Sequence, residues 1–143
     1  MKTLSIVVPA YNEEASVEKF ASTVFGLPLA NPVEIVFVDD GSADGTLETV
    51  KRLAAKDSRV RYVSFSRNFG KEAALFAGLT RAKGELVATM DADLQHDPAL
   101  LAQMAEAIER ERELIAWLAT PTARKCPEYS DIFKDVYGFR PRW

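Results

Sequence analysis

The sequence of 143 residues has little cysteine, little histidine and no excess of basic residues. A single cysteine, Cys126, excludes an intramolecular disulfide, and its neighbours Lys125 and Pro127 form no redox motif, so we predict an inert thiol. With 18 Lys and Arg against 21 Asp and Glu, the net charge is -3. Nucleic-acid binding needs a basic surface that neutralises phosphates, so we expect no nucleic-acid partner.

Long apolar runs are also missing. No stretch approaches the length of about 18 apolar residues that a membrane-spanning helix needs. The apolar run at residues 4–8 is too short for a signal peptide. We predict no transmembrane segment, and a chain that is cytoplasmic or lies peripherally at the inner face of the membrane.

Several nucleotide-enzyme and hydrolase motifs are absent as well. The first predicted strand is not followed by G-x-G-x-x-G, and neither a P-loop nor G-x-S-x-G occurs. Dinucleotide oxidoreductases, P-loop NTPases and α/β-hydrolases therefore lack their required parts here. A nucleotidyltransferase of related topology would also need a glycine-rich, basic loop after the first strand, which this chain lacks.

The composition is that of a globular domain, with 48% hydrophobic and 27% charged residues. Short β-branched apolar runs alternate with amphipathic helical patterns, which predicts an α/β fold with a mostly parallel sheet and helices on both faces. The predicted strands are residues 4–8, 34–38, 60–65 and 85–90; the predicted helices end near residues 25, 56, 82 and 117.

Details of two helices follow from the same pattern. We predict Thr46 as the N-cap of the second helix, and a fourth helix that is opened by Pro98. One apolar side of that fourth helix should contain Leu100, Leu101, Met104 and Ile108. The periodic pattern fails from residue 119 onward, where we expect a loosely docked or partly disordered tail.

Two carboxylates, Asp91 and Asp93, end the fourth predicted strand, and Gln95 follows them. In an open α/β sheet, ligands bind beyond the carboxyl ends of the strands. Two close carboxylates repel each other unless a cation lies between them, and Mg²⁺ or Mn²⁺ accepts oxygen ligands together with phosphates. A D-x-D triplet in isolation is also common in exposed turns, but this context favours a metal-diphosphate site.

The loop after the first strand offers Pro9, Tyr11 and Glu13. The Tyr11 ring could lie against a nucleotide base, and Glu13 could accept a hydrogen bond from a base N–H or a ribose hydroxyl. Packing of the Tyr11 ring inside the protein is the alternative.

The second and third loops add acids and cations at the same edge of the sheet. We predict that Asp40 contacts the ligand and that Asp39 holds the turn, although either carboxylate could cap the following helix. Arg67 and Lys71 precede or open a helix, where they could neutralise a diphosphate or form ordinary surface pairs. His96 is interpreted as an exposed residue at a helix entry rather than as a base.

Four segments resemble, in their order and spacing, the family 2 glycosyltransferases: residues 5–14, 34–42, 66–72 and 90–95. The resemblance covers about residues 3–112, which implies a domain at residues 1–112 and an unrelated-looking tail at residues 113–143. Residues 67–79 look most like the bactoprenol glucosyltransferases of O-antigen modification clusters, with polyprenyl-phosphate mannosyltransferases close behind.

The resemblance implies a Rossmann-like fold of the GT-A type that binds a nucleotide-diphosphosugar, UDP-glucose or GDP-mannose, and transfers its hexose to polyprenyl phosphate. It places the nucleotide on Pro9, Tyr11, Glu13 and Asp40, and Mg²⁺ or Mn²⁺ on Asp91, Asp93 and Gln95. It assigns no catalytic residue. Because nothing after residue 113 resembles the family, we expect a truncated domain with an incomplete acceptor site.

An alternative from another class is a non-catalytic module that binds nucleotide sugars and forms a homo-oligomer through an exposed sheet edge. Turnover of a donor in the presence of polyprenyl phosphate would distinguish the enzyme from the module.

Overall fold

The computed structural model describes residues 2–118 and 120, and within them the chain forms four strands and four helices. Strands and helices alternate along the chain: β1 (Leu4–Ala10), α1 (Glu14–Phe25), β2 (Val33–Asp39), α2 (Thr46–Lys56), β3 (Val60–Ser64), α3 (Lys71–Arg81), β4 (Leu86–Thr89) and α4 (Leu100–Leu118). The sheet has the order β3-β2-β1-β4 and all of its described pairings are parallel, as predicted.

Helices cover both faces of this sheet, because successive residues of a strand point to opposite sides. Phe37 of β2 contacts Phe20 of α1 edge to face, with 6.1 Å between the ring centroids. The next residue, Val38, lies against Gly78 of α3, where a Cβ atom added to the glycine would be 3.1 Å from the valine Cγ2. The prediction of helices on both faces is therefore confirmed.

The core is centred on β1 and β2. Their buried residues form nearly continuous apolar runs, which is typical of parallel strands that are covered on both sides. The fully buried members are Ile6, Val7, Val8, Ile35, Val36, Phe37 and Val38. Because all four strands are parallel, their carboxyl ends and the loops that follow them lie at one edge of the sheet.

Two predictions about helices are wrong in detail. Gly45, and not Thr46, occupies the cap position of α2, because Thr46 is already the first residue of the helix. The Thr46 hydroxyl accepts a hydrogen bond from the Glu13 N–H (2.9 Å) rather than from an N–H of its own helix. Helix α4 begins at Leu100 rather than at Pro98.

The predicted apolar side of α4 is largely exposed. Leu100, Met104 and Ile108 are 48%, 55% and 40% exposed, whereas Leu101 and Ala105 are buried. The buried line of the helix therefore follows a spacing of four residues from Leu101. The other predicted positions are turned away from that line by the rotation of the helix.

The chain divides into two compact units, Met1–Gln103 and Met104–Trp143, of which the first contains the sheet and α1 to α3. The domain boundary near residue 112 stays a prediction. Cys126 and most of the predicted tail lie outside the described residues. Within residues 2–118 and 120, no helix combines the length and the hydropathy that crossing a bilayer would require.

A polar network ties the strands together at the amino end of the sheet. Glu34 of β2, with a side chain 13% exposed, accepts hydrogen bonds on Oε1 from the Ser5 hydroxyl (2.6 Å) and the Lys83 N–H (2.8 Å). Arg61 of β3 lies 3.4 Å from its Oε2. Burial raises the pKa of Glu34, but these hydrogen bonds and the Arg61 charge outweigh it and hold the pKa below its usual value.

The network predicts a pH-dependent contribution to stability. Since the folded pKa of Glu34 is lower than the unfolded one, its contribution is complete above the unfolded pKa and is lost as the pH falls through the folded pKa. We expect Glu34→Gln to lower the free energy of unfolding by about 1–2 kcal/mol at neutral pH. The variant should also reduce the acid dependence below about pH 5. Urea unfolding across this range measures both effects, with the exposed Glu48→Gln as the control; equal acid dependence in Glu34→Gln and wild type would contradict the assignment.

Candidate functional site

A cavity of about 250 Å³ opens at the carboxyl edge of the sheet. Its lining comes from the carboxyl end of β1 and from the regions that follow all four strands: Pro9, Ala10, Tyr11, Glu13, Asp40, Lys71, Asp91, Ala92 and Asp93. We refer to the four connections as loop 1 (residues 11–13), loop 2 (residues 40–45), loop 3 (residues 65–70) and loop 4 (residues 90–99). Seven of the predicted site residues thus meet in one hollow.

Reciprocal hydrogen bonds join loop 1 to loop 2. The Asn12 N–H donates to the Ser42 hydroxyl oxygen (2.9 Å), and the Ala43 N–H donates to the Asn12 side-chain oxygen (2.9 Å). Asn12 has a φ of +52°, a left-handed conformation that asparagine tolerates better than most residues. This exchange fixes the position of Tyr11, which precedes Asn12, against loop 2.

A second pair of hydrogen bonds joins Glu14, the first residue of α1, to loop 2. The Glu14 N–H donates to Asp44 Oδ2 (3.4 Å), and the Gly45 N–H donates to Glu14 Oε2 (3.1 Å). The Thr46 hydroxyl hydrogen-bonds Asp44 Oδ1, which holds the pKa of Asp44 below its usual value. Glu14 and Asp44 therefore position the site without lining it, a role that sequence reasoning missed.

Asp40 joins loop 2 to loop 3. Its carboxylate is buried, with the residue only 4% exposed, and accepts hydrogen bonds from the Phe69 N–H (2.7 Å) and the Gly70 N–H (3.1 Å). The loops also touch at Gly41, whose φ is +71° and whose added Cβ would lie 2.3 Å from the Arg67 carbonyl carbon. Since each carboxylate oxygen has further acceptor capacity, the structural role of Asp40 leaves room for a ligand contact.

Lys71 joins α3 to loop 4. Its ammonium lies 2.7 Å from Asp91 Oδ1, and the two side chains are 60% and 41% exposed. The pair places a cation beside the first acid of the D-x-D triplet, inside the cavity. Bonds thus join loop 1 to loop 2, loop 2 to loop 3, and the start of α3, directly after loop 3, to loop 4.

Two predicted site residues do not line the cavity. Arg67 lies over the ring of Phe69, with its guanidinium carbon 4.6 Å from the ring centroid. Gln95 has an exposed side chain, and its N–H donates to Asp93 Oδ1 (3.2 Å). His96 is exposed and outside the lining, and Asp39 accepts the Ser42 N–H at 3.4 Å, in keeping with the predicted turn role.

The acids of the cavity suit a particular kind of metal site. Among residues 2–118 and 120, no group of three or more His, Cys, Asp or Glu side chains could hold an ion alone. Mg²⁺ commonly uses one or two carboxylates and completes its shell with water and substrate phosphates. Asp91 and Asp93 fit that donor set, and Asp91 already pairs with one cation, the Lys71 ammonium.

Curated proteins resemble about three quarters of this chain. The Putative glycosyltransferase CsbB of Bacillus subtilis is 46% identical over 108 residues, which are 74% of this chain and 33% of that protein. The Bactoprenol glucosyl transferase of Shigella phage SfV is 45% identical over 105 residues, 72% of this chain and 34% of the relative. The Undecaprenyl-phosphate 4-deoxy-4-formamido-L-arabinose transferase of Aeromonas hydrophila is 42% identical over 110 residues, 75% and 34% of the two chains. The chain thus spans about a third of the length of the curated relatives it matches.

Solved structures agree with the fold. S. aureus TarS in complex with UDP superposes with a TM-score of 0.65 and 26% identity, covering 77% of this chain and 33% of that one. The mannosyltransferase PcManGT of Pyrobaculum calidifontis, in complex with GDP-Man and Mn²⁺, gives a TM-score of 0.61 and 27% identity, covering 93% and 39%. The predicted GT-A type fold is confirmed. Because residues 5–130 match the family described as Glycosyl transferase family 2, this chain belongs to that family.

Proposed function

We propose that this chain binds a nucleotide-diphosphosugar, first of all UDP-glucose, for transfer of its hexose to polyprenyl phosphate. The observation that carries the proposal is the cavity in which regions after all four strands present an aromatic ring, acids and a lysine together. The relatives include proteins named as bactoprenol and undecaprenyl-phosphate sugar transferases, which supports this acceptor class.

The nucleotide is assigned to the side of the cavity that β1 and loop 1 form. Tyr11 is 48% exposed, so its ring is available to lie against a base. Pro9 shapes the wall, and Glu13 offers an acceptor for a base N–H or a ribose hydroxyl. Asp40 lines the same cavity while it holds loop 3, so it links nucleotide binding to the position of Lys71.

The diphosphate is assigned to the opposite side, between Lys71 and the D-x-D acids. Asp91 and Asp93 would hold Mg²⁺ or Mn²⁺, with Gln95 as a further candidate ligand. Such an ion, when bound, neutralises charge on the departing nucleotide diphosphate. Lys71 lies at the first turn of α3, where the backbone N–H groups also favour an anion.

Transfer of the hexose to polyprenyl phosphate does not need a side chain that acts as a general base. An oxygen of polyprenyl phosphate forms the new bond to the anomeric carbon, and the bond to the nucleotide diphosphate breaks. The attacking oxygen is already anionic, so no side chain needs to remove its proton. Because this acceptor is a membrane lipid, the chain should work at the inner face of the membrane, in cell-envelope chemistry such as O-antigen modification.

Isothermal titration calorimetry with UDP-glucose and GDP-mannose tests the donor site. We expect binding that requires Mn²⁺ or Mg²⁺ and that Asp93→Asn weakens at least about tenfold, because one of two metal-binding carboxylates is neutralised while the Asp93 oxygen can still accept the Gln95 N–H. The matched control is Asp97→Asn, which removes the same charge outside the cavity and keeps an oxygen for the Ala99 N–H. Metal-independent binding that Asp93→Asn leaves unchanged would reject the site.

Turnover separates the enzyme from a binding module. Release of UDP from UDP-glucose that depends on added polyprenyl phosphate supports the transferase. Donor binding without release, together with a concentration-dependent dimer in analytical ultracentrifugation, would support a non-catalytic module instead.

A further inference from the structure

The position of Lys71 is unusual for a cation. Lys71 is the first residue of α3, and the partial positive charge of a helix amino terminus disfavours a lysine there. The preceding residue, Gly70, has no side chain to cap the helix and uses its own N–H to hold Asp40. Local helix energetics therefore do not explain a lysine at this position.

An ion pair with Asp91 explains why a lysine occupies this position. The Lys71 ammonium lies 2.7 Å from Asp91 Oδ1, within the cavity that also contains Asp93. Without this ammonium, the two acids would repel each other whenever no other cation is present. Lys71 thus occupies the charge position that a divalent ion would take at Asp91.

We propose that Lys71 is an exchangeable counter-ion: it competes with the divalent cation for Asp91 and passes to the donor diphosphate when metal and donor arrive together. This inference rests on the proposed function. The exchange needs only side-chain rotation, because both residues are substantially exposed. It makes metal binding weak in the absence of nucleotide and stronger in its presence, since each ligand favours the arrangement that the other requires.

The competition can be measured with Mn²⁺ alone, by electron paramagnetic resonance of the free ion. We expect Lys71→Met to tighten Mn²⁺ binding about two- to fivefold, which is the range that loss of an exposed ion pair allows. Lys71→Arg, which keeps a cation, should behave like the wild type. Arg67→Gln is the charge control, because it removes the same charge from loop 3 without a contact to Asp91, and it should change Mn²⁺ affinity by less than about 1.5-fold.

The coupling is measured by repeating the titration with saturating UDP. In the wild type, UDP should raise the affinity for Mn²⁺, and in Lys71→Met this enhancement should shrink. An Mn²⁺ affinity of Lys71→Met no higher than that of Arg67→Gln, or an unchanged enhancement by UDP, would overturn the exchange.

The outcomes also separate the inference from the proposed function. If wild type binds UDP with Mn²⁺ but Lys71→Met shows no tighter Mn²⁺ binding, the inference fails and the donor site stands. If wild type binds neither Mn²⁺ nor UDP, both fail together. Circular dichroism of Lys71→Met checks that the fold is retained, as expected for a change at an exposed pair.

Discussion

Replacement of Asp40 by alanine is expected to lower the free energy of unfolding by about 2–4 kcal/mol and to abolish nucleotide-sugar binding. The reason is that its buried carboxylate is the acceptor for the N–H groups of Phe69 and Gly70. Loss of a charged acceptor leaves both donors without a partner, which costs more than the net value of the bonds. Loop 3, which leads into Lys71, then loses its two hydrogen bonds to the Asp40 side chain. Urea unfolding and titration calorimetry with UDP-glucose measure the two effects.

Two variants and a local readout make this prediction specific. Asp40→Asn keeps one acceptor oxygen and should lose about half as much stability. Asp39→Asn, at the neighbouring buried carboxylate, keeps an oxygen for the Ser42 N–H and should cost less than about 1 kcal/mol. Amide hydrogen exchange at Phe69 and Gly70 should accelerate in Asp40→Ala. Slow exchange there with wild-type stability would show that Asp40 does not hold loop 3.

Replacement of Gly78 by alanine is expected to destabilise the protein by about 1–3 kcal/mol, although alanine is the better helix former by about 1 kcal/mol. The added Cβ would lie 2.2 Å from Val7 Cγ1 and 3.1 Å from Val38 Cγ2. Both valines are fully buried in the centre of the sheet, so α3 would have to move outward. Thermal and urea unfolding measure the loss.

The matched control is Thr80→Ala, an exposed position in the same helix, which should be neutral or slightly stabilising. A second test removes the obstacle: in the double variant Gly78→Ala with Val7→Ala, the combined loss should be smaller than the sum of the single losses. Wild-type stability of Gly78→Ala, or strict additivity in the double variant, would contradict close packing at this point.

For the loops around the cavity, the sequence predicts where they lie but not which residues bond them to each other. The convergence of Tyr11, Asp40, Asp91 and Asp93 could be predicted, because each follows or ends a strand whose direction a parallel sheet fixes. The bonds that join these loops could not be predicted. Asn12 meets Ser42 and Asp40 meets Phe69 across about 30 residues of chain, and no periodic pattern relates such partners.

The helix details show the same division. The bounds of α2 followed from its apolar spacing, but the role of Thr46 did not, because the Glu13 N–H from another loop takes its hydroxyl. In α4 the apolar spacing predicted a helix, whereas the buried line through Leu101 and Ala105 depends on packing. Local spacing determines whether a segment forms a helix or a strand. Residues far away in the chain determine which of its side chains are buried and which partners its polar groups bond.

The sequence by itself determined the alternation of buried parallel strands and helices, the family, and the edge of the sheet at which polar side chains collect, since all of these follow from short-range patterns. Only the tertiary structure decided that Asp40 holds a loop as well as lining the cavity, and that Lys71 neutralises Asp91. The physical reason is that a hydrogen bond or an ion pair depends on distances of a few ångströms between groups far apart in the chain, and those distances exist only once the sheet has brought the loops together.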